Sequence, residues 1–293
     1  MALIQALVIV AAMAAVAAAL LLRADAARQR VQTWFIADQA ALYLDAGVAQ
    51  VRAMLDTVPD GAPIHTGQAW ARDRDDVRID RGVLAWRIDD LHGRFNVNGL
   101  AGQNAEAERA AFLALARAMD VPRGVAQRLA DVLGPDPRAR ARAAAPAEAP
   151  DLPLLHPRQL APLAHGAPEA FAALLEHLSA LPPGAALNVN TVHPEVLAAY
   201  LPRLGRAERE ALARARDDAP FETTEAFLDW AADMFAPDAL RVLERLALDV
   251  TSETFEVTLA ARLDTIRLRR SVVLSRNGAQ GRSAVLFSVP EPD

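Results

Sequence analysis

The first twenty-two positions are apolar with one exception, Gln5, and contain no charged residue, glycine or proline. A helix of that length reaches about 33 Å, enough to cross a hydrocarbon core of about 30 Å. The pattern then changes character without a break. From Trp34 the apolar positions Ala37, Ala41, Leu44, Val48, Val51 and Leu55 follow at alternating steps of three and four, with Asp38, Asp45 and Arg52 off the stripe. That spacing predicts one amphipathic helix, whose stripe Trp34, Leu44, Val48, Val51 and Leu55 packs on a sheet. The run Val58-Pro-Asp-Gly-Ala-Pro stops it.

Residues 64–81 are polar and without period. Leu84, Trp86 and Ile88 then alternate with Ala85, Arg87 and Asp89, which predicts a half-buried strand. A turn at Leu91-His92-Gly93 leads to a second short strand over 94–98, and the two are expected to form a hairpin. Helical spacing runs over 105–119 and 125–133, ending at Gly134-Pro135. Residues 135–153, rich in proline, alanine and arginine, read as a linker or loop. His156-Pro-Arg-Gln-Leu-Ala and His193-Pro-Glu-Val-Leu-Ala each open a helix with proline in the first turn and suggest a faint internal duplication.

Strand period returns near the end. Phe255, Val257, Leu259, Ala261 and Leu263 share one face; a turn at Asp264-Thr265 leads to a strand through Ile266, Leu268, Val272 and Leu274. Asn277-Gly278 is a turn signal, and 283–289 forms a third strand. The predicted class is α+β: a long N-terminal helix on an antiparallel sheet built from both hairpins, interrupted by an all-helical insertion. The expected units are a membrane helix over 1–22, a sheet domain over 23–99 and 251–293, and the insertion over 100–250.

Composition narrows the function. At 53% hydrophobic and 23% charged residues the chain of 293 is that of a folded protein. A net charge of −6 gives no basic face for nucleic acid. The absence of cysteine excludes disulfides, thiolate metal sites and cysteine nucleophiles. Ala24-Asp25-Ala26 has the small-x-small form of a signal cleavage site, but Arg23 sits within it. The apolar stretch is also too long for a signal core and no basic region precedes it, so the reading is a retained anchor. Arg23, Arg28 and Arg30 follow that anchor and pull their side towards the cytoplasm, so the opposite orientation needs a basic segment ahead of Met1.

Chemistry-bearing motifs are few. The six histidines are scattered; His92 in its turn and His193 before a proline read as surface residues rather than ligands. Serine is sparse, neither a Gly-x-Ser-x-Gly elbow nor a phosphate-binding loop occurs, and no catalytic residue is expected. Asn188-Val-Asn-Thr, Leu201-Pro-Arg-Leu-Gly and Phe221 resemble a helix-hairpin-helix unit, which in DNA-binding proteins offers backbone N–H groups to phosphate. Here the turn has one glycine, Gly205, and the acids Glu208, Glu210, Asp217 and Asp218 surround it. The favoured reading is a packing module with Asn188 and Asn190 as turn and cap residues and no nucleic-acid partner. The alternative is a membrane-anchored DNA-binding protein of a DNA-uptake apparatus.

Four segments carry a family resemblance: the start Met1-Ala-Leu-Ile-Gln-Ala-Leu-Val, the stretch Arg87-Ile-Asp-Asp-Leu-His-Gly-Arg-Phe-Asn-Val-Asn-Gly-Leu, Leu187-Asn-Val-Asn-Thr-Val-His-Pro, and Pro220-Phe-Glu-Thr-Thr-Glu-Ala-Phe-Leu. In this order they resemble the type II secretion system protein K family of minor pseudopilins. The resemblance implies a pilin-like fold with a helix-hairpin-helix, SAM-like insertion, on a single pass through the bacterial inner membrane with the bulk of the chain periplasmic. It implies a place at the tip of the pseudopilus, beside minor pseudopilins of the I and J types and above the major pseudopilin, touching the lipid bilayer and secreted cargo. Met1, Leu3, Ile4, Gln5, Leu7 and Val8 would then pack against partner helices in the membrane. Family precursors carry a short basic leader cut by prepilin peptidase, which would supply the missing charge if Met1 begins the processed form.

Two further expectations follow from that likeness. Most pilin-like subunits carry glutamate at the fifth position, facing a neighbour's terminal amine. A carboxylate at that depth costs about 2.5–3.5 kcal/mol, so it needs the amine. A subunit with no neighbour beyond it has no amine to meet, which fits the neutral Gln5. Family members can also bind calcium through an acidic cluster, of which this chain keeps Asp131 and Asp136. Two carboxylates set against the six to eight oxygens of a calcium site make these thin candidates.

Overall fold

The structure, a computed structural model, describes residues 1–143, 153–277 and 282–290. A single helix, α1, runs from Ala2 to Leu55. Its first half is exposed along its whole length and is covered by none of the described residues. From Ala40 onward one side is buried, through Leu44, Gly47, Val48, Val51 and Leu55. Trp34 is a correction to the predicted stripe, being 79% exposed. Helical spacing continues through it, but the sheet beneath the helix begins more than a turn later, and apolar periodicity alone does not report where the support ends.

That support is a five-stranded antiparallel sheet in the order β1-β2-β7-β8-β9. β1 is Arg74–Ile79 and β2 Gly82–Asp90; β7 is Thr254–Leu263, β8 Ile266–Ser275 and β9 Ala284–Pro290. The central pairing sets Leu84 opposite Ala261, Trp86 opposite Leu259 and Ile88 opposite Val257. Alternation places all six on the face that meets α1, where they join Phe255, Leu263, Val272 and Leu274 in one core. Gly47 lets the helix lie close: a Cβ there would stand 2.6 Å from Leu259 Cδ2 and 3.3 Å from Leu84 Cδ2. Ile64 and Trp70 close the end of this core, Trp70 edge-on to Phe255 at 5.2 Å.

The expected hairpin over 84–98 is not formed. β2 pairs instead with β1, in the stretch that reads as structureless. β1 lies at an edge of the sheet, and its Arg74, Asp75, Asp76 and Arg78 give it the charged surface that edge strands carry, at the expense of apolar alternation. The segment after the turn forms the short strand β3, Phe95–Asn96, which pairs in parallel with β4, Leu178–Ser179.

Between β2 and β7 lie two helical lobes built on one plan. In the first, β3 leads to α2 (Ala105–Ala118), α3 (Arg123–Leu133), α4 (Pro137–Ala143), a 3-10 helix (Pro157–Ala164) and α5 (Pro168–Leu175), and β4 closes it. In the second, β5 (Leu187–Asn188) leads to α6 (Pro194–Tyr200), α7 (Arg206–Asp218), α8 (Thr224–Met234) and α9 (Pro237–Leu243). β6 (Leu248–Asp249) closes it, in parallel with β5. Each lobe opens with Asn-Val-Asn. Asn96 Oδ1 accepts the Asn98 N–H at 3.1 Å and Asn188 Oδ1 the Asn190 N–H at 2.9 Å. The second asparagine then clamps a remote backbone residue at both ends: Asn98 bonds the C=O and N–H of Leu154, and Asn190 those of Phe221.

Two residues beyond each clamp stands a helix cap. His156 accepts the Arg158 N–H, and Thr223 accepts the Ala226 N–H at 3.1 Å. The two lobes thus share a motif, but not in the register of the sequence expectation: by position after the clamp, His156 corresponds to Thr223, not to His193. The apolar interior of both lobes is continuous, from Phe95 and Phe112 through Leu160 and Val196 to Phe227. Of the expected loop over 135–153, residues 137–143 are helical and 144–152 lie outside the described residues, as does Gly278 of the predicted turn.

Candidate functional site

Three regions bear on function, and the first is the free part of α1. Met1, Leu3, Ile4, Leu7 and Val8 are 61% exposed or more, and among the described residues no hydrophobic side chain before Ile36 packs on the core. Nothing among the described residues covers these side chains, and they are apolar all round. Such a helix is stable against lipid or other apolar helices, not against water. This one is long and apolar enough to cross a membrane, and it fits a single-pass anchor. Gln5 stands among them with its side chain exposed and its N–H bonded back to Met1 O at 3.3 Å.

The second region is polar, where β2 leaves the sheet and the lobes begin. Asp90 is buried and accepts bonds from the His92 N–H at 2.9 Å, Asn188 Nδ2 at 3.1 Å, Thr191 Oγ1 at 2.5 Å and Ser252 Oγ at 2.6 Å. Burial nonetheless pushes its carboxyl above the usual range, against the pull of His92 and the two hydroxyls. Asn188 also donates to Ile64 O at 3.0 Å, so one amide joins the segment after α1, the sheet and the second lobe. Gly93 is obligatory there: a Cβ would meet Thr191 O at 2.6 Å.

A companion knot joins the first lobe. Arg94 donates to Glu256 at 2.8 Å and pairs with Asp89 at 3.1 Å; Glu256 also takes His156 Nε2 at 3.1 Å and Ser271 Oγ at 2.5 Å. His156 Nδ1 accepts the Arg158 N–H, which places the ring proton on Nε2, facing the carboxylate. Burial works to raise the Glu256 pKa, but the His156 bond, the Arg94 charge and the Ser271 bond together hold it well below the carboxylate range. Every oxygen of these two carboxylates is engaged, so they act as ties between sheet and lobes rather than as acids or bases. The second knot lines a groove of about 800 Å³ between β7–β9 and the first lobe, with Leu91, Phe171, Leu178 and Phe287 on its walls.

The third region holds the calcium candidates. Asp131 and Asp136 line one cleft of about 250 Å³, but Arg109 lines it too and donates to Asp131 at 2.5 Å, while Asp136 accepts the Arg138 N–H at 2.9 Å. A guanidinium in place of further oxygens does not suit a hard dication, and these residues do not fit calcium.

The helix-hairpin-helix turn between α6 and α7 is likewise spoken for. Arg203 pairs with Asp238 and Arg206 with Glu210. Asn188 makes the expected turn by accepting the Asn190 N–H, whereas Asn190, expected as a cap, clamps Phe221, and both are buried. The ties at Asp90, Arg94, His156 and Glu256 are absent from the sequence reading. Their one signal is the density of polar residues in a strand-and-turn segment, Arg87 to Asn98, that must also be buried.

The comparisons with known proteins agree with this architecture. Two family models, both described as type II secretion system protein K, match residues 93–183 and 187–250, dividing where the two lobes divide. The type II secretion system protein K of Pseudomonas aeruginosa is 30% identical over 256 residues, covering 77% of this chain and 74% of its own length. That of Aeromonas hydrophila is 26% identical over 275 residues, covering 84% and 81%. Among solved structures, the GspK-GspI-GspJ complex from the enterotoxigenic Escherichia coli type 2 secretion system holds a chain of the same fold. The match has a TM-score of 0.68 and 21% identity, over 91% of this chain and 100% of that one.

Proposed function

Because the chain belongs to the type II secretion system protein K family, we propose that it is a minor pseudopilin that caps the periplasmic pseudopilus and supports export of folded proteins. The observation that carries this reading is the continuity of α1: a helix of 54 residues whose free, uncharged end runs straight into the side packed on the sheet. Such a rod transmits position between membrane and folded body without a hinge. Its apolar end docks beside the helices of neighbouring subunits.

Gln5 supports a terminal place. It can hydrogen-bond but cannot neutralise an amine, so this subunit does not need a further one stacked upon it. The two lobes stand between β2 and β7 and are tied to the sheet by Asp90 and Glu256, which makes them a rigid head for contacts at the tip. The bulk of the chain is periplasmic, and its work is assembly, not catalysis. The Escherichia coli relative was solved with GspI and GspJ, and we take the corresponding two minor pseudopilins as the partners here.

The test is co-isolation. The full chain, extracted from membranes in mild detergent, is expected to bring both other minor pseudopilins with it, and its deletion to stop export of the secreted proteins. Recovery of the chain without either partner, with export intact in the deletion strain, would contradict the reading.

A further inference from the structure

Sequence spacing hides one cluster that the fold assembles. His177 follows α5, and His193 and Glu195 stand at the start of α6. One ligand atom from each, two imidazole nitrogens and a carboxylate oxygen, lie within 4.8 Å of one another. The two rings meet edge to face at 5.1 Å.

None of the three has another hydrogen-bond partner for its side chain among the described residues, and His177 Nδ1 is buried without one. A buried ring nitrogen left unpaired is destabilising, so a conformation that keeps it beside a second unpaired imidazole and a free carboxylate wants a shared partner. The backbone around the cluster is fixed. His177 O accepts the Phe95 N–H at 2.8 Å, within the β3–β4 ladder, and the His193 N–H donates to Gly93 O at 2.9 Å.

We propose that His177, His193 and Glu195 bind a divalent transition ion, Zn²⁺ in the periplasm, and that this ion clasps the first lobe to the second. Two nitrogens and one oxygen suit a borderline cation and not calcium, which takes oxygen alone. Bonds of about 2.0–2.1 Å to zinc would draw the three donors closer than they stand, a movement that side-chain rotation supplies. The fourth tetrahedral position is left for water. His193 also lines a cleft of about 350 Å³ that opens to solvent and gives the ion a way in.

The charges nearby are compatible with a cation. Arg94 is the positive group that reaches both rings, and it is paired with Glu256 and Asp89; Glu176 adds negative charge beside His177. Burial is the largest cause holding both imidazoles below their ordinary pKa, His193 at about 4, so both offer free nitrogens at neutral pH.

The experiment uses the full chain in detergent, without a polyhistidine tag, stripped with chelator and titrated with zinc chloride against a chromophoric competitor. One equivalent of Zn²⁺ is expected to bind and to raise the thermal unfolding midpoint. Calcium chloride is expected to do neither. His193→Gln and Glu195→Gln should each weaken binding about tenfold or more and abolish the thermal shift. Glu195→Gln changes a partly exposed residue with no other bond, so its loss of binding is read in a folded chain. Zinc binding equal in wild type and both variants, or no binding at micromolar zinc, would overturn the proposal.

Discussion

At the scale of single residues, buried carboxylates join the sheet to the lobes. Glu256 is buried with Arg94, His156 and Ser271 around it. Removing one member of such a set leaves the others desolvated, and Glu256→Gln is expected to cost about 2–4 kcal/mol at pH 7, measured by chemical unfolding of the full chain. The pH dependence has a definite sign. Because the folded-state pKa lies below the ordinary 4.5, the contribution is fully present above that value and fades as pH falls through the depressed one. The gap between wild type and Glu256→Gln should therefore be constant from pH 7 to about 5 and shrink below pH 4.5. A gap that widens in acid would refute this assignment. Asp90 runs the other way: burial raises its pKa, so the stability it adds is greatest in acid and declines as pH rises.

At the scale of elements, α1 on its sheet was legible from spacing, and its limits show why. Leu44, Val48, Val51 and Leu55 are buried and Trp34 is not, although all five satisfy one period. Leu44→Ala is expected to destabilise by about 2–5 kcal/mol through the cavity it opens, whereas Trp34→Ala should change unfolding by about 0.5 kcal/mol or less. Comparable losses in the two would restore Trp34 to the packing side. Gly47 gives a second check on the same interface. Gly47→Leu must displace Leu259 and Leu84 and should cost about 1–3 kcal/mol, while Gly47→Ala, whose single methyl meets only the side-chain ends of Leu259 and Leu84, should cost less.

β1 was invisible for the opposite reason. A charged edge strand has no apolar rhythm to read, and its partner was therefore sought in the following segment. The lobes were readable as helices but not as a pair. Their shared feature is a clamp made by Asn98 and Asn190 to residues 56 and 31 positions away, a distance that differs between lobes and defeats a search for fixed period.

At the scale of the whole molecule, the plan is a head of two lobes bonded to a small sheet, and a sheet bonded to a rod that leaves it for the membrane. Little of the candidate site was legible, because its parts come from chain segments far apart in sequence, up to 162 residues for Asp90 with Ser252 and for Arg94 with Glu256. What the sequence does carry openly is the uncharged start of α1, and the proposed function depends on that segment staying in the bilayer with the head outside the inner membrane. The chain has no cysteine, so single cysteines can report this without background. Leu7→Cys lies in the apolar segment, and Leu42→Cys on the head side of α1, where Leu42 is 63% exposed. In intact cells a maleimide that passes the outer but not the inner membrane should label position 42 and leave position 7 unlabelled until detergent is added. Labelling at position 7 without detergent, or protection of position 42 in a folded chain, would contradict the account.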